Sequence, residues 1–162
     1  MPVLLGIISD SHGRRERLRT AIRLLTEAGA ERFVHLGDLE EASALDDLAG
    51  LPFAVVFGNC DDERELGRTA ECLGIESVHP GGVIEVGSKR VAITHGHLED
   101  ELRRLRGLKP DYLLHGHTHE REDRIKHGVR TICPGALHRA VPPTVALLEV
   151  EGGRLETIVV PG

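Results

Sequence analysis

The sequence predicts an α/β protein in which two β-sheets pack face to face with helices outside. Three observations predict it. Short apolar runs alternate with amphipathic helical stretches through the first sixty residues, and strand pairs around glycine turns fill the second half. The residues able to bind a metal stand just past the ends of the apolar runs.

The elements follow in order. Residues 3–8 form an apolar run that stops at Ser9-Asp10, as a buried strand does. Across residues 14–28, Leu18, Ala21, Ile22 and Leu25 recur at helical spacing, and Gly29 suits the position that closes a helix. A second strand at 33–36 enters Gly37-Asp38, residues 40–49 read as a helix, and a third strand at 53–57 enters Gly58-Asn59. Consecutive strand-helix units need crossover connections and so imply a parallel sheet. Residues 66–73 read as a helix with Cys72 as a small core residue. Strands at 83–86 and 91–94 flank the hairpin signal Gly87-Ser88-Lys89-Arg90, a helix follows at 98–105, and another buried strand at 112–115. Two further hairpins pair 123–126 with 129–133 around His127-Gly128, and 144–150 with 155–160 around Gly152-Gly153. No repeat, low-complexity tract or linker interrupts the chain, which reads as one domain over 1–162.

Composition narrows the function. A net charge of −6 and only 2% aromatic residues weigh against stable nucleic-acid binding, which draws on basic surfaces and stacking platforms. No apolar stretch is long enough for a membrane span, and the N-terminus lacks the pattern of a secretory signal. Three cysteines, Cys60, Cys72 and Cys133, at unrelated spacings give no disulfide framework, so a cytoplasmic location is expected. Ten histidines stand out, and their clustering decides whether they matter.

Asp10 and His12, Asp38, Asn59, His95, and His117 with His119 follow or end five predicted strands. In α/β sheets, sites form at the carboxyl ends of strands, so all seven would reach one edge. Asp-x-His puts a carboxylate and an imidazole on one side of an extended segment, and Gly116-His117-Thr118-His119 repeats the spacing with two imidazoles. Taken singly, each motif has a plainer explanation as a turn, a cap or a packed histidine. Taken together, their order and ligand types describe a two-metal site. An oxygen and nitrogen set without thiolate suits Mn, Ni, Fe, Co or Zn, with Mn first, rather than Ca or Mg. His35 and His115 read as packed strand residues, and His79, His127 and His138 as loop residues.

Asp10-Ser11-His12, Gly37-Asp38, Gly58-Asn59-Cys60-Asp61, Thr94-His95-Gly96-His97 and Gly116-His117-Thr118-His119 together resemble the signature of the calcineurin-like metallophosphoesterases. The match is nearest to the small single-domain YfcE-like phosphodiesterase branch. The resemblance implies a four-layer α/β/β/α sandwich of two mixed β-sheets flanked by helices, and often a homodimer. It assigns Asp10, His12, Asp38 and His119 to one metal, Asp38, Asn59, His95 and His117 to the other, and His97 to the phosphate. Two departures stand out. Cys60 occupies the place where much of the superfamily has the histidine credited with protonating the leaving group, and Cys133-Pro134-Gly135-Ala136 replaces the branch's Asn-Pro-Gly-Ser. Cys60 is expected to be an ordinary buried cysteine; the other reading is a thiol activated by the electropositive site.

The expected activity is a phosphodiesterase acting on a small phosphoester, with a metal-bridging hydroxide as nucleophile and Asp38, Asn59 and His97 in catalysis; Arg14 reads either as an added phosphate contact or, in the plainer reading, as a solvated residue of the first helical turn. Alternatives are a phosphomonoesterase or nucleotide pyrophosphohydrolase with the same site, and a non-catalytic metal-binding scaffold. Without a histidine at position 60, substrates with good leaving groups should be favoured.

Overall fold

A computed structural model describes residues 2–162. The chain runs β1 (Leu4–Ile8), α1 (Arg15–Glu27), β2 (Arg32–His35), a 3-10 helix (Ala42–Asp47), β3 (Phe53–Val55), α2 (Glu63–Leu73), β4 (Glu76–Ser77), β5 (Gly81–Val86) and β6 (Lys89–Thr94). It continues with α3 (Glu99–Gly107), β7 (Tyr112–Leu114), β8 (Arg121–Lys126), β9 (Val129–Pro134), β10 (Thr144–Glu149) and β11 (Leu155–Val159). One mixed sheet has the order β11-β10-β1-β2-β3-β4 and the other β5-β6-β7-β9-β8. The strands β1 to β4 are parallel neighbours, as are β6, β7 and β9, while each hairpin adds an antiparallel pair.

Alternation along the strands builds three apolar layers. Leu5 and Ile7 of β1, Val34 of β2 and Ala54 of β3 meet Val91 and Ile93 of β6, Leu114 of β7 and Ile132 of β9 between the sheets. The intervening residues Ile8, Phe33, Phe53 and Val55 face Leu18, Leu25, Leu45, Leu66 and Ala70 on the helical side. Ala92 and Leu113 face Leu102 and Leu105 of α3. Strands buried on both faces read as continuous apolar runs, which is why the sequence marked them so clearly. The result is the expected four-layer sandwich of two mixed sheets flanked by helices.

Three sequence expectations need correction. The helix expected over 40–49 is a 3-10 helix of six residues. Glu40 has φ 70° and Glu41 is extended, so the turn cannot begin before Ala42; it ends at Asp47, and Gly50 at φ 84° turns the chain beyond it. Ala44 N–H to Glu41 O and Leu48 N–H to Leu45 O are the tighter i to i−3 kind, and a single i to i−4 bond, Ala49 N–H to Leu45 O, follows the helix. Cys72 is exposed, because Leu66 and Ala70 set the buried face of α2 and position 72 lies off it. Cys60 is also exposed, in the loop after β3. The two-residue strand β4 was not anticipated; both its residues are exposed and carry no apolar signal.

Leu114 is fully buried between the sheets, so Leu114→Ala should cost about 2–5 kcal/mol in urea unfolding. Ile125, 66% exposed on β8, is the control, and Ile125→Ala should change stability by no more than about 0.5 kcal/mol. Equal losses at the two positions would contradict the layer assignment.

Candidate metal centre

The carboxyl ends of β1, β2 and β3 in one sheet and of β6 and β7 in the other open onto a single edge of the sandwich. Each strand ends in a sharp turn, and five of the seven anticipated ligand residues bend there through left-handed backbone: Asp10 (φ 55°), His12 (φ 42°), Asp38 (φ 62°), His117 (φ 71°) and His119 (φ 62°). Non-glycine residues avoid this region, at roughly 1–3 kcal/mol each, and hold it only where the surroundings impose it.

The surroundings are the turns themselves. Asp10 N–H donates to Gly37 O (3.0 Å) and His12 N–H to Asp38 O (2.8 Å), binding the β1 turn to the β2 turn. Gly116 N–H donates to His95 O (2.8 Å), and His117 N–H to Asp10 Oδ2 (3.0 Å), which links the two sheets. Asp61 gathers the β2 and β3 turns by accepting from the N–H groups of Asp38 (2.8 Å), Glu40 (2.7 Å) and Gly58 (2.9 Å). Buried His35 accepts Gly37 N–H at Nδ1 (3.1 Å), so its Nε2–H donates to Ser11 Oγ (3.0 Å). Burial pushes its pKa down to about 4, and it acts as a neutral bridge.

Within this frame the ligand-competent atoms form two adjoining groups. Asp10, His12 and His119 make one and Asp38, His95 and His117 the other, with the ligand atoms of each group within 4.8 Å of one another. His12 Nε2 stands 3.4 Å from both Asp10 Oδ1 and Asp38 Oδ2, so the groups touch. His119 Nε2 is 3.3 Å from Asp10 Oδ1, and His95 Nε2 is 3.1 Å from Asp38 Oδ2. Asn59 lines the same pocket, although its side chain bonds to Cys60 Sγ (3.7 Å). The His97 ring lies 5.3 Å from that of His95 and 6.1 Å from that of His117. Arg14 does not line the pocket; it reaches the site through Nε to His138 Nδ1 (3.4 Å).

These residues fit a pair of divalent cations. His95 Nδ1–H donates to Leu36 O (2.7 Å), which turns Nε2 toward the carboxylates, and this fully buried nitrogen makes no hydrogen bond among the described residues. His12 is set the same way: Nδ1–H donates to Glu40 Oε2 (2.9 Å), leaving Nε2 for the site. The electrostatics agree. Burial opposes a charge on Asp38, yet His95, the Cys60 N–H and His12 outweigh it and hold the carboxyl well below the usual range. Burial likewise opposes a charge on His95, while neighbouring Asp38 and Asp10 lift its pKa above the ordinary value. Two carboxylates packed this way favour positive charge between them.

Several contributors were not anticipated. Glu40 orients His12, and its only sequence signal is adjacency to Gly37-Asp38. His138, read as a loop residue, packs its ring 4.9 Å from His12 and lines the pocket with Arg139. No local pattern could have found it, since the loop after β9 returns to the site across more than a hundred residues. Cys60 Sγ joins His12 and Asp38 in a third cluster. Without metal, partial desolvation and the nearby Asp38 carboxylate raise its thiol pKa. The substituted loop packs inward: Cys133 and Ala136 are buried, and Leu137 N–H donates to Ser9 O (3.3 Å).

Behind the His117 turn, His115 Nε2 meets Glu122 Oε1 at 2.8 Å. Burial works against a charge on Glu122, but Lys126, His115 and Arg124 outweigh it and bring its pKa down to about 2. A depressed carboxyl adds stability that is complete above its unfolded value near 4.5 and is lost as pH falls through about 2. Glu122→Gln should therefore cost about 2 kcal/mol in urea unfolding at pH 7, with the gap from wild type closing toward pH 2. A gap independent of pH would contradict this account.

Comparison with known proteins places this geometry. Residues 3–153 match the model of the calcineurin-like phosphoesterase superfamily domain. A phosphodiesterase of Methanocaldococcus jannaschii is 27% identical over 162 residues, covering 96% of this chain and 98% of that one. A probable metallophosphoesterase of Bacillus subtilis, YsnB, is 31% identical over 138 residues, covering 81% of this chain and 73% of its own. The solved structure of an archaeal phosphodiesterase superposes with a TM-score of 0.86 at 26% identity, covering 98% of this chain and 100% of that one. The fold is shared with YfcE, a phosphoesterase from E. coli, at a TM-score of 0.70 and 20% identity, with 98% and 100% covered. The chain thus belongs to the calcineurin-like phosphoesterase superfamily and is a metal-dependent phosphoester hydrolase.

Proposed function

We propose that the protein is a phosphodiesterase with a dinuclear centre, one metal held by Asp10, His12, Asp38 and His119 and the other by Asp38, Asn59, His95 and His117. The observation that carries this reading is the pair of adjoining ligand groups that meet at His12 and Asp38. Two divalent ions held there would supply Lewis acidity, both to make water nucleophilic near neutral pH and to neutralise the phosphoryl oxygens. Manganese is the first metal to test, the domain is the whole of 1–162, and the setting is the cytoplasm.

The remaining steps belong to the protein. Asp38 holds the two halves of the site together, and Asn59 and His97 bind nonbridging oxygens of the phosphoryl group as charge develops. Burial and the nearby His95 and His117 lower the His97 pKa, so at neutral pH it is a neutral donor. Arg14, hydrogen-bonded to His138, extends the positive rim. Cys60 stands in for the histidine that would protonate a leaving group, and an ordinary thiol is matched less well than an imidazole to proton transfer near neutral pH. Diesters whose leaving groups depart without a proton are the preferred substrates. The names of the archaeal relatives support the diesterase reading over a monoesterase.

With manganese supplied, bis(p-nitrophenyl) phosphate should be hydrolysed at least about tenfold faster than p-nitrophenyl phosphate, and much faster than an alkyl diester. Asp38→Asn should lower turnover by about 100-fold or more. Cys60→His should raise alkyl-diester turnover by about tenfold and leave the aryl rate nearly unchanged. Equal gains on both classes would contradict the leaving-group argument. Absence of hydrolysis with any divalent metal would favour a non-catalytic scaffold.

A further inference from the structure

The metal pocket does not end at its ligands. A pocket of about 370 Å³ holds His12, Asp38, Asn59 and His117, and a larger cavity of about 560 Å³ lies beside it. His119 and Arg139 line both. The larger cavity is the mouth between the two sheets, walled by β8 and β9 on one side and by β10, β11 and the loop before β10 on the other. Its volume is in the range that takes a whole small ligand, well beyond what a phenyl ring occupies.

Its charge is unlike that of the chain as a whole. Two of the acidic residues lining it are already paired with cations: Glu122 with Arg124 and Lys126, and Asp123 with Arg130 at 2.9 Å. Arg121 and Arg139 also line it, and among the described residues neither has a carboxylate within salt-bridge distance. Glu120 is the remaining acidic group, exposed at the rim. Arg139 is further held in left-handed backbone at φ 51°, a conformation that persists only where its surroundings impose it. Two unpaired guanidinium groups against one carboxylate, all three exposed, leave a positive cavity on a protein of net charge −6. Guanidinium forks match phosphate oxygens in shape as well as charge.

We infer that this cavity is a second anion subsite, and that the substrate is a phosphodiester whose larger arm carries a further phosphate. The reacting phosphate would sit over the metal pocket while the arm passes His119 and Arg139, lies along Val141 and Pro142, and brings its terminal anion to Arg121 and Arg139. This inference rests on the phosphodiesterase reading and names the substrate class for it.

Two matched chromogenic substrates test it: the p-nitrophenyl ester of thymidine 5′-phosphate, and the same compound bearing a 3′-phosphate. In both, water adds to the 5′-phosphorus, the bond to p-nitrophenolate breaks, and the proton from water passes to solvent. They share leaving group and nucleoside and differ only in the distal phosphate. The 3′-phosphorylated compound should have a KM at least about tenfold lower, with similar kcat, and added salt should shrink that advantage. Arg139→Ala or Arg121→Ala should bring the KM ratio toward one, while Arg139→Lys retains part of it. A ratio near one in the wild type, or one that survives both alanine substitutions, would overturn the subsite while bis(p-nitrophenyl) phosphate is still turned over. If bis(p-nitrophenyl) phosphate is not hydrolysed either, the phosphodiesterase reading itself falls and takes the subsite with it.

Discussion

Asp38 has to keep a charged carboxylate at the meeting point of two sheets, and much of the local structure serves that end. One oxygen accepts the Cys60 N–H at 2.9 Å, and the other faces His95 and His12 at 3.1 and 3.4 Å. Its backbone is pinned by Asp61 and by His12, and its φ of 62° aims the side chain across the end of the sandwich rather than along the sheet. The space is so tight that a Cβ on Gly58 would run into the Asp38 carboxylate. Gly116 is constrained alike, since a Cβ there would meet Ser9 Oγ and Asp10 Oδ2. Both glycines belong to the recognisable motifs, and the reason is close approach to the two carboxylates.

The rest of the architecture delivers the remaining groups to the same point. Parallel strands in each sheet end on one side, so five turns arrive together without any long loop folding back. The face-to-face packing of Ile7 and Val34 against Ile93 and Leu114 fixes how far apart the two sets of turns lie. Strain at the left-handed residues is offset by backbone hydrogen bonds that run from turn to turn. The site's geometry is thereby coupled to the packing of the inter-sheet core.

Much of this was legible in the residues. Val34, Leu36 and Phe57 belong to runs buried on both faces, and each run halts at a Gly-Asp or Gly-Asn pair, so strand ends and ligands were visible together. The hairpins were visible too, but not their destinations: β8-β9 and β10-β11 carry the same pattern and join different sheets. The 3-10 helix escaped because Asp61, far along the chain, holds Glu40 in a conformation that blocks an α-helix. His138, Arg139 and Glu40 escaped because their roles exist only through contacts between turns. Cys72 shows the opposite error, since a small apolar residue on a helix says nothing about which face it occupies.

The central claim is that one carboxylate joins two metals, and electron paramagnetic resonance of metal-free protein titrated with manganese tests it directly. The account predicts two manganese ions bound per chain, with a spin-coupled spectrum that disappears in Asp38→Asn. A single equivalent, or two giving only the spectrum of isolated ions, would contradict it.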